Sequence, residues 1–413
     1  MKILFVHQNF PGQYKHLAAH LARDPRHQVV SIGERRPERP VNIKGMRHEW
    51  YDKPKGASAT THPYIQGLEG SVRRSQSVVR ACLALRKDGF VPDVICAHPG
   101  WGEALHLKEV YPEAKLLSYC EFYYSSTGAD VGFDPEFSMT FDDRFKIPMR
   151  NATQLLSLAV SDWAVSPTHW QRERYPAVWR ALISVVHEGI ETRLVRPDPR
   201  VVLKLEQQKL ELTRKDEVIT YVSRNLEPYR GFHTFMRALP EIQRRRPKAV
   251  TLVVGGDEVS YGRKPEKGGS WREAMLGEVG ASLDLSRVHF LGKVPYLTFL
   301  QILQVSSAHV YLTVPFVLSW SFIEAMAAGC LIVGSRTGPV TEVMSDGVNG
   351  LMVDFTSPDS VASRVEEALE NQDKLAPLRV RARQTAIERF DLRSVCLPQQ
   401  LALIEWLTSL KAR

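Results

Sequence analysis

Apolar residues gather in short runs separated by segments whose apolar positions recur every three to four residues. The first run, Ile3-Leu4-Phe5-Val6, turns polar at His7-Gln8-Asn9. After the loop at 9–13, Leu17, Ala18 and Leu21 share one helical face, and Val29-Val30-Ser31-Ile32 returns to strand. The spacing then predicts a helix over 71–87, a strand over 94–97, a helix over 103–110 and a strand over 116–119. Short strands or strand edges follow at 159–160, 163–165 and 183–186, with a helix over 167–175. A charged stretch poor in apolar positions, 196–216, interrupts the pattern, which starts afresh at Val218. Strands are expected there over 218–222, 250–254, 288–291, 310–314, 331–333 and 350–353, with a helix over 323–328. Such alternation predicts parallel α/β sheets, here in two doubly wound, Rossmann-like halves, 1–190 and 191–390. The hinge falls in 186–197, and a tail, 391–413, is helical over 401–410. Ligands of open parallel sheets bind outside the carboxyl ends of the strands, so two halves facing a central cleft would place the site there.

Length agrees with two cores, since 413 residues exceed what one ordinary core supports. The opening apolar run is short and reads as a strand rather than a signal segment. No later run approaches the ~18–20 residues of a membrane span. The five cysteines, Cys82, Cys96, Cys120, Cys330 and Cys396, show neither zinc-site nor redox-pair spacing. A cytoplasmic protein, soluble or peripheral at the inner face of the membrane, is expected. The net charge of +8 favours anionic partners, whether nucleotide phosphates, lipid headgroups or nucleic acid. The basic run at 244–248 reads as a solvated helix end, and without a zinc-finger or RNP motif no nucleic-acid partner is expected. Helix 71–87 carries Arg73, Arg74, Arg80, Arg86 and Lys87 beside Val72, Val78, Val79, Leu83 and Leu85. It is either a core-packed helix with a basic face or a segment resting on anionic lipid.

Two segments carry candidate chemistry. In 221–232 a strand runs through a turn into a helix, and Arg224 and Arg230, six residues apart, can converge on a diphosphate with bidentate bonds. The plainer alternative is a pair of surface arginines. In 315–329 small residues precede a helix, so the backbone N–H groups of Ser321, Phe322 and Ile323 face a phosphate at its positive end. Glu324 in the first turn is placed to accept ribose hydroxyls, or simply complements the helix dipole.

Ser223-Arg224-x5-Arg230-Gly231, then Glu324-Ala325-Met326-Ala327-Ala328-Gly329, then Gly338-Pro339-x2-Glu342-Val343-x2-Asp346-Gly347-x-Asn349-Gly350, resemble the donor half of retaining glycosyltransferase family 4. Phe10-Pro11-Gly12-Gln13, residues 93–98 and 187–191 extend the likeness into the first half. The resemblance implies a GT-B fold, a nucleotide-diphosphate sugar bound mainly by the second half, and a glycan, lipid-linked or small-molecule acceptor bound by the first. Retaining, metal-independent hexosyl transfer in bacterial surface polysaccharide or glycoconjugate synthesis is the implied activity. Arg224 and Arg230 would neutralise the diphosphate, Glu324 would hold the ribose, and Gly12 would let the backbone approach the donor phosphates. The resemblance implies no cofactor beyond the co-substrate, and the absence of an Asp-x-Asp triplet agrees with no metal.

Two positions depart from the family pattern. Phe316 stands where a first glutamate, eight residues before the second, is usual. Where the family often has a first-domain histidine over the sugar, this chain reads Ser118-Tyr119-Cys120-Glu121-Phe122-Tyr123. Glu121 is the polar substitute, unless it is an ordinary solvated or arginine-paired carboxylate. His98 and Tyr123 are acceptor-side candidates, each with a structural alternative as a hydrogen-bonded histidine and a core aromatic. The rival functions are a non-hydrolysing nucleotide-sugar epimerase and a catalytically silent nucleotide-sugar-binding protein.

Overall fold

The computed structural model describes residues 1–36 and 41–410. It divides into two compact units, Met1–Gly189 with Arg393–Arg413, and Ile190–Leu392. In the first unit β1 (Lys2–Val6), β2 (Gln28–Glu34), β3 (Met46–Tyr51), β4 (Val94–Ala97), β5 (Lys115–Tyr119), β6 (Trp163–Ser166) and β7 (Ile183–Val185) form one parallel sheet. Its order is β3-β2-β1-β4-β5-β6-β7, so the winding reverses between β1 and β4. The chain's apolar runs are continuous because both faces are covered. Leu4 and Val6 pack with Val78, Cys82 and Leu85 of the helix Gln66–Lys87, while Ile3 and Phe5 pack with Leu17, Ile404 and Leu407. The last two belong to the C-terminal helix Leu397–Ser409, which forms part of this unit.

The second unit begins with an antiparallel ribbon, β8 (Val202–Leu205) and β9 (Leu210–Thr213). Then β10 (Val218–Asn225), β11 (Val250–Gly256), β12 (Val288–Gly292), β13 (Ala308–Tyr311), β14 (Ile332–Ser335) and β15 (Leu351–Val353) form a parallel sheet. The order β12-β11-β10-β13-β14-β15 reverses between β10 and β13. The unit's entry and exit are joined: Ile190 donates to the Phe390 carbonyl at 2.8 Å and Leu392 to the Ile190 carbonyl at 2.9 Å.

Several elements differ from the sequence expectation. Residues 159–160 end the helix Ala152–Val160, whose neighbour Phe141–Arg150 starts with Thr140 and Asp143 in a capping box. The helix expected over 103–110 is confined to Leu107–Val110. The stretch 196–216 holds β8 and β9, because Leu203, Leu205 and Leu212 point inward while Lys204 and Glu211 pair outside at 3.2 Å. Helix Gln66–Lys87 gives Val78 and Leu85 to the core, leaving only Val72 and Leu83 of the expected membrane face exposed. Among the described residues no helix is long and apolar enough to cross a membrane. The basic run at 244–248 begins in the last turn of the helix Phe232–Arg245; Arg244 and Arg245 pair with Glu241, and Arg246 pairs with Glu217.

Candidate active site

Both winding reversals place chemistry at the carboxyl ends of adjacent strands, where open parallel sheets bind ligands. In the second unit a single turn, Pro228–Arg230, follows β10. Gly231 then takes φ +64°, and a Cβ there would lie 2.4 Å from Leu312 Cβ, so only glycine lets the chain pass into the helix Phe232–Arg245. Arg230 is thereby held 7% exposed. Its Nη1 donates to Thr313 Oγ1 at 2.7 Å, the Val317 carbonyl at 3.0 Å and the Tyr311 hydroxyl at 3.2 Å. Burial opposes the guanidinium's charge, but the oxygens of Tyr311, Tyr261 and Glu227 outweigh it and the pKa is raised. Arg224, by contrast, is exposed and makes no side-chain hydrogen bond or ion pair among the described residues.

Phe316 is 4% exposed and packs against Tyr261 and Tyr229 with centroids 4.9 and 5.5 Å apart. The Arg230 guanidinium carbon lies 5.7 Å from the Tyr261 ring centre and 6.0 Å from that of Phe316. Buried Glu227, which sequence reasoning missed, fixes Tyr261 by accepting the backbone N–H groups of Ser260, Tyr261 and Gly262 at 3.1, 3.1 and 2.9 Å. Nothing in its spacing marks it, since its partners lie more than thirty residues away.

The helix Trp320–Ala327 begins after Ser319, whose N–H and hydroxyl both donate to the Tyr311 hydroxyl at 3.0 Å. The expected row of free N–H groups needs correction at Phe322, which donates to the Ser319 carbonyl at 3.1 Å. The side chains of Phe322 and Ile323 lie fully in the core, so only their main chain can face a ligand. The hydroxyl of Ser321 lies 2.9 Å from that of Ser319. Half-buried Glu324 accepts the Tyr296 hydroxyl at 2.7 Å; burial and this carboxylate push the phenol's pKa up.

In the first unit His7, His98 and Glu121 follow just beyond the carboxyl ends of β1, β4 and β5. His7 Nδ1 accepts the Asn9 N–H at 2.9 Å, so its Nε2 carries the proton and donates to Gln13 Oε1 at 2.7 Å. The Gln13 amide nitrogen then donates to Glu121 Oε1 at 2.8 Å. Burial first, and the neighbouring His98 second, lower the His7 pKa to about 3, keeping the ring neutral. His98 Nδ1 accepts from Gly100, and its proton-bearing Nε2, 3.4 Å from Glu121 Oε2, is buried with no hydrogen-bond partner among the described residues. Its ring stacks on Trp101 at 4.3 Å and Tyr119 at 5.5 Å. Glu121 is thus a one-third exposed carboxylate held by the Gln13 amide beside His98. Gly12, at φ +46°, has a nearby reason to be glycine: a Cβ would lie 2.4 Å from the His7 ring. Tyr123 packs against Tyr175 with centroids 5.4 Å apart, at the edge of a separate core cluster.

A second buried cluster was not legible in the sequence. The Tyr51 hydroxyl donates to fully buried Glu103 at 2.6 Å, and Arg74 Nε lies 3.6 Å from Glu103 and 3.7 Å from Glu34. Burial raises the Glu103 pKa. Arg74 Nη1 also donates to the Trp101 carbonyl at 2.9 Å, joining this cluster to the ring stacked on His98.

Known proteins match this arrangement along most of the chain. Residues 25–195 match the model of the glycosyl transferase family 4 group, and residues 204–389 that of glycosyl transferases group 1. The GDP-mannose-dependent alpha-(1-6)-phosphatidylinositol monomannoside mannosyltransferase of Mycobacterium tuberculosis is 26% identical over 301 residues, 70% of this chain and 72% of that one. A D-inositol 3-phosphate glycosyltransferase of Nocardia farcinica is 29% identical over 210 residues, 49% of this chain and 43% of that one. Among solved structures, Anabaena Alr3699/HepE in complex with UDP superposes with TM-score 0.68 at 18% identity, covering 99% of this chain and all of that one. Sucrose-phosphate synthase of Thermosynechococcus elongatus gives TM-score 0.72 at 16% identity and the same coverage. The two doubly wound units are those of the GT-B fold, and the chain belongs to the group 1, family 4 glycosyltransferases.

Proposed function

We propose that this glycosyltransferase moves a hexosyl unit from a nucleotide-diphosphate sugar with retention at the anomeric carbon and without a divalent metal. The observation that carries the reading is Arg230, a buried guanidinium fixed where the second sheet reverses its winding. As the glycosidic bond to the nucleotide breaks, negative charge grows on the departing diphosphate, and a cation already in place stabilises it without reorganisation. Arg224, exposed at the end of β10, adds a second charge, and Glu324 accepts the ribose hydroxyls. The acceptor's proton passes to the leaving phosphate on the same face, so no protein base is required. Glu121, held by Gln13 beside His98, accepts a hydroxyl of a sugar and orients it. The donor is a UDP- or GDP-hexose, the nucleotides named for the relatives and structural neighbours. The acceptor is a glycan or lipid-linked glycan, and the work is done in the cytoplasm or at the inner face of its membrane.

Nucleoside diphosphate release from a panel of UDP- and GDP-hexoses, with and without acceptors, tests the reading. Acceptor-dependent release that survives EDTA, with NMR showing the donor's anomeric configuration in the product, is expected. An inverted product removes retention, and activity lost to EDTA but restored by Mn²⁺ removes metal independence. Interconversion of the donor sugar without an acceptor favours the epimerase, and donor binding without turnover favours the silent binder.

A further inference from the structure

A pocket of about 510 Å³ opens in the first unit between the carboxyl end of β3 and the helix Gln66–Lys87. We infer that it binds a saccharide carrying an anionic group, phosphate or carboxylate. Its lining combines two aromatics, Trp50 and Tyr51, one amide, Gln76, and three cations, Lys55, Arg73 and Arg80, against one carboxylate, Asp52. The cations are not equally occupied. Arg73 is bound by Glu69 at 2.5 Å, whereas among the described residues Arg80 makes only a 3.3 Å bond to Ser77 Oγ and Lys55 has no ion pair. Asp52 is turned to Arg35 at 3.0 Å, which leaves the lining net positive. An indole face packs against the C–H face of a sugar ring, and an amide serves its hydroxyls. Cations free of carboxylates select an anionic substituent. The volume falls within the ~300–1,000 Å³ of small-molecule sites.

Its place in the fold connects it to the first unit's candidate site. The pocket lies at the same carboxyl edge of the sheet as His98 and Glu121, three and four strands away. Its wall residue Tyr51 reaches Glu103, then Arg74, then Trp101, on which His98 stacks. Binding follows from the lining alone; that the bound sugar is the acceptor rests on the transfer reading above.

Isothermal titration of the full chain with glucose 6-phosphate, glucuronate, glucose and inorganic phosphate tests the site and separates the two anion sources. At least one anionic sugar should bind about tenfold or more tighter than glucose and than phosphate, since charge and ring must both be read. Arg80→Gln and Trp50→Leu should each weaken it by about tenfold, and because Arg80 is exposed its variant tests the charge even if Trp50→Leu misfolds. Glucose or phosphate binding equally well, or Arg80→Gln binding like the parent, would overturn the inference. Binding of an anionic sugar that is not glycosylated leaves the pocket standing and removes its acceptor role. Transfer to an anionic acceptor whose KM is unmoved by Arg80→Gln removes the pocket while sparing the reaction.

Discussion

Arg224 and Arg230 look equivalent in sequence, yet replacing them should separate stability from catalysis. Arg230→Ala removes three hydrogen bonds and leaves the buried Val317 carbonyl and Thr313 hydroxyl short of a donor. One buried acceptor left unsatisfied costs about 1–3 kcal/mol, and loss of the packed, charge-assisted donor brings the total to roughly 3–5 kcal/mol. At about 2–4 °C per kcal/mol for a unit of this size, the melting point should fall by roughly 10 °C. Arg224→Ala removes an exposed side chain that makes no hydrogen bond or ion pair among the described residues, so its stability should stay within about 0.5 kcal/mol of the parent's and its melting point within about 2 °C. Both variants should lose transition-state stabilisation, about 2–4 kcal/mol in kcat/KM on a working donor. Differential scanning calorimetry beside donor turnover gives the two readouts. Equal melting points for the two variants would refute the reasoning that Arg230 is a structural as well as a phosphate-binding cation.

Other changes test the neighbouring groups. Gln13→Leu keeps the bulk but removes the 2.8 Å hydrogen bond to Glu121, and kcat should fall about tenfold while affinity for the free nucleoside diphosphate stays unchanged; a parental kcat would exclude Gln13 as a positioning residue. Phe316→Glu places a carboxylate among Tyr229, Tyr261 and Arg230, and should shift donor preference toward fully hydroxylated hexoses by one to a few kcal/mol; an unchanged ranking across a donor panel would make Phe316 a packing residue only. Burial lowers His7 to about 3 and His309 to about 4 from 6.5, so both are neutral in the fold and take up protons on unfolding below that pH. Their stabilisation is complete above pH 6.5 and is lost as pH falls, by up to about 3 kcal/mol each at pH 4. A melting point constant from pH 7 to 4 would contradict this.

Strands buried on both faces, such as β1 and β4, were legible because a run without polar interruption leaves few alternatives. The ribbon β8–β9 escaped because Lys204 and Glu211, paired on its outer side, masked a period of two carried by the few leucines Leu203, Leu205, Leu210 and Leu212. At the site, sequence order brought out Arg224, Arg230 and Glu324, which share one family pattern. It could not show that Arg230 is buried and Arg224 is not, since that depends on Tyr311, Thr313 and Val317, more than eighty residues away. His7 was visible only as the polar end of the first strand. Its control of Gln13 and Glu121 arises because parallel winding brings the ends of β1 and β5 within hydrogen-bond reach across more than a hundred residues. The link from Glu103 to Tyr51 is hidden for the same reason.

The joined entry and exit of the second unit bear on how the gene can be cut. Ile190 and Leu392 exchange backbone bonds with each other's surroundings, and the Thr192 hydroxyl reaches Asp391, so residues 190–392 begin and end at one point. The stretch is thus a cassette that can be cloned, circularly permuted or grafted with its ends already paired. The first unit does not share this modularity. A fragment ending at Gly189 would bare the apolar surface of Ile3, Phe5 and Leu17 that Ile404 and Leu407 cover, and should aggregate unless the C-terminal helix is rejoined by a short linker.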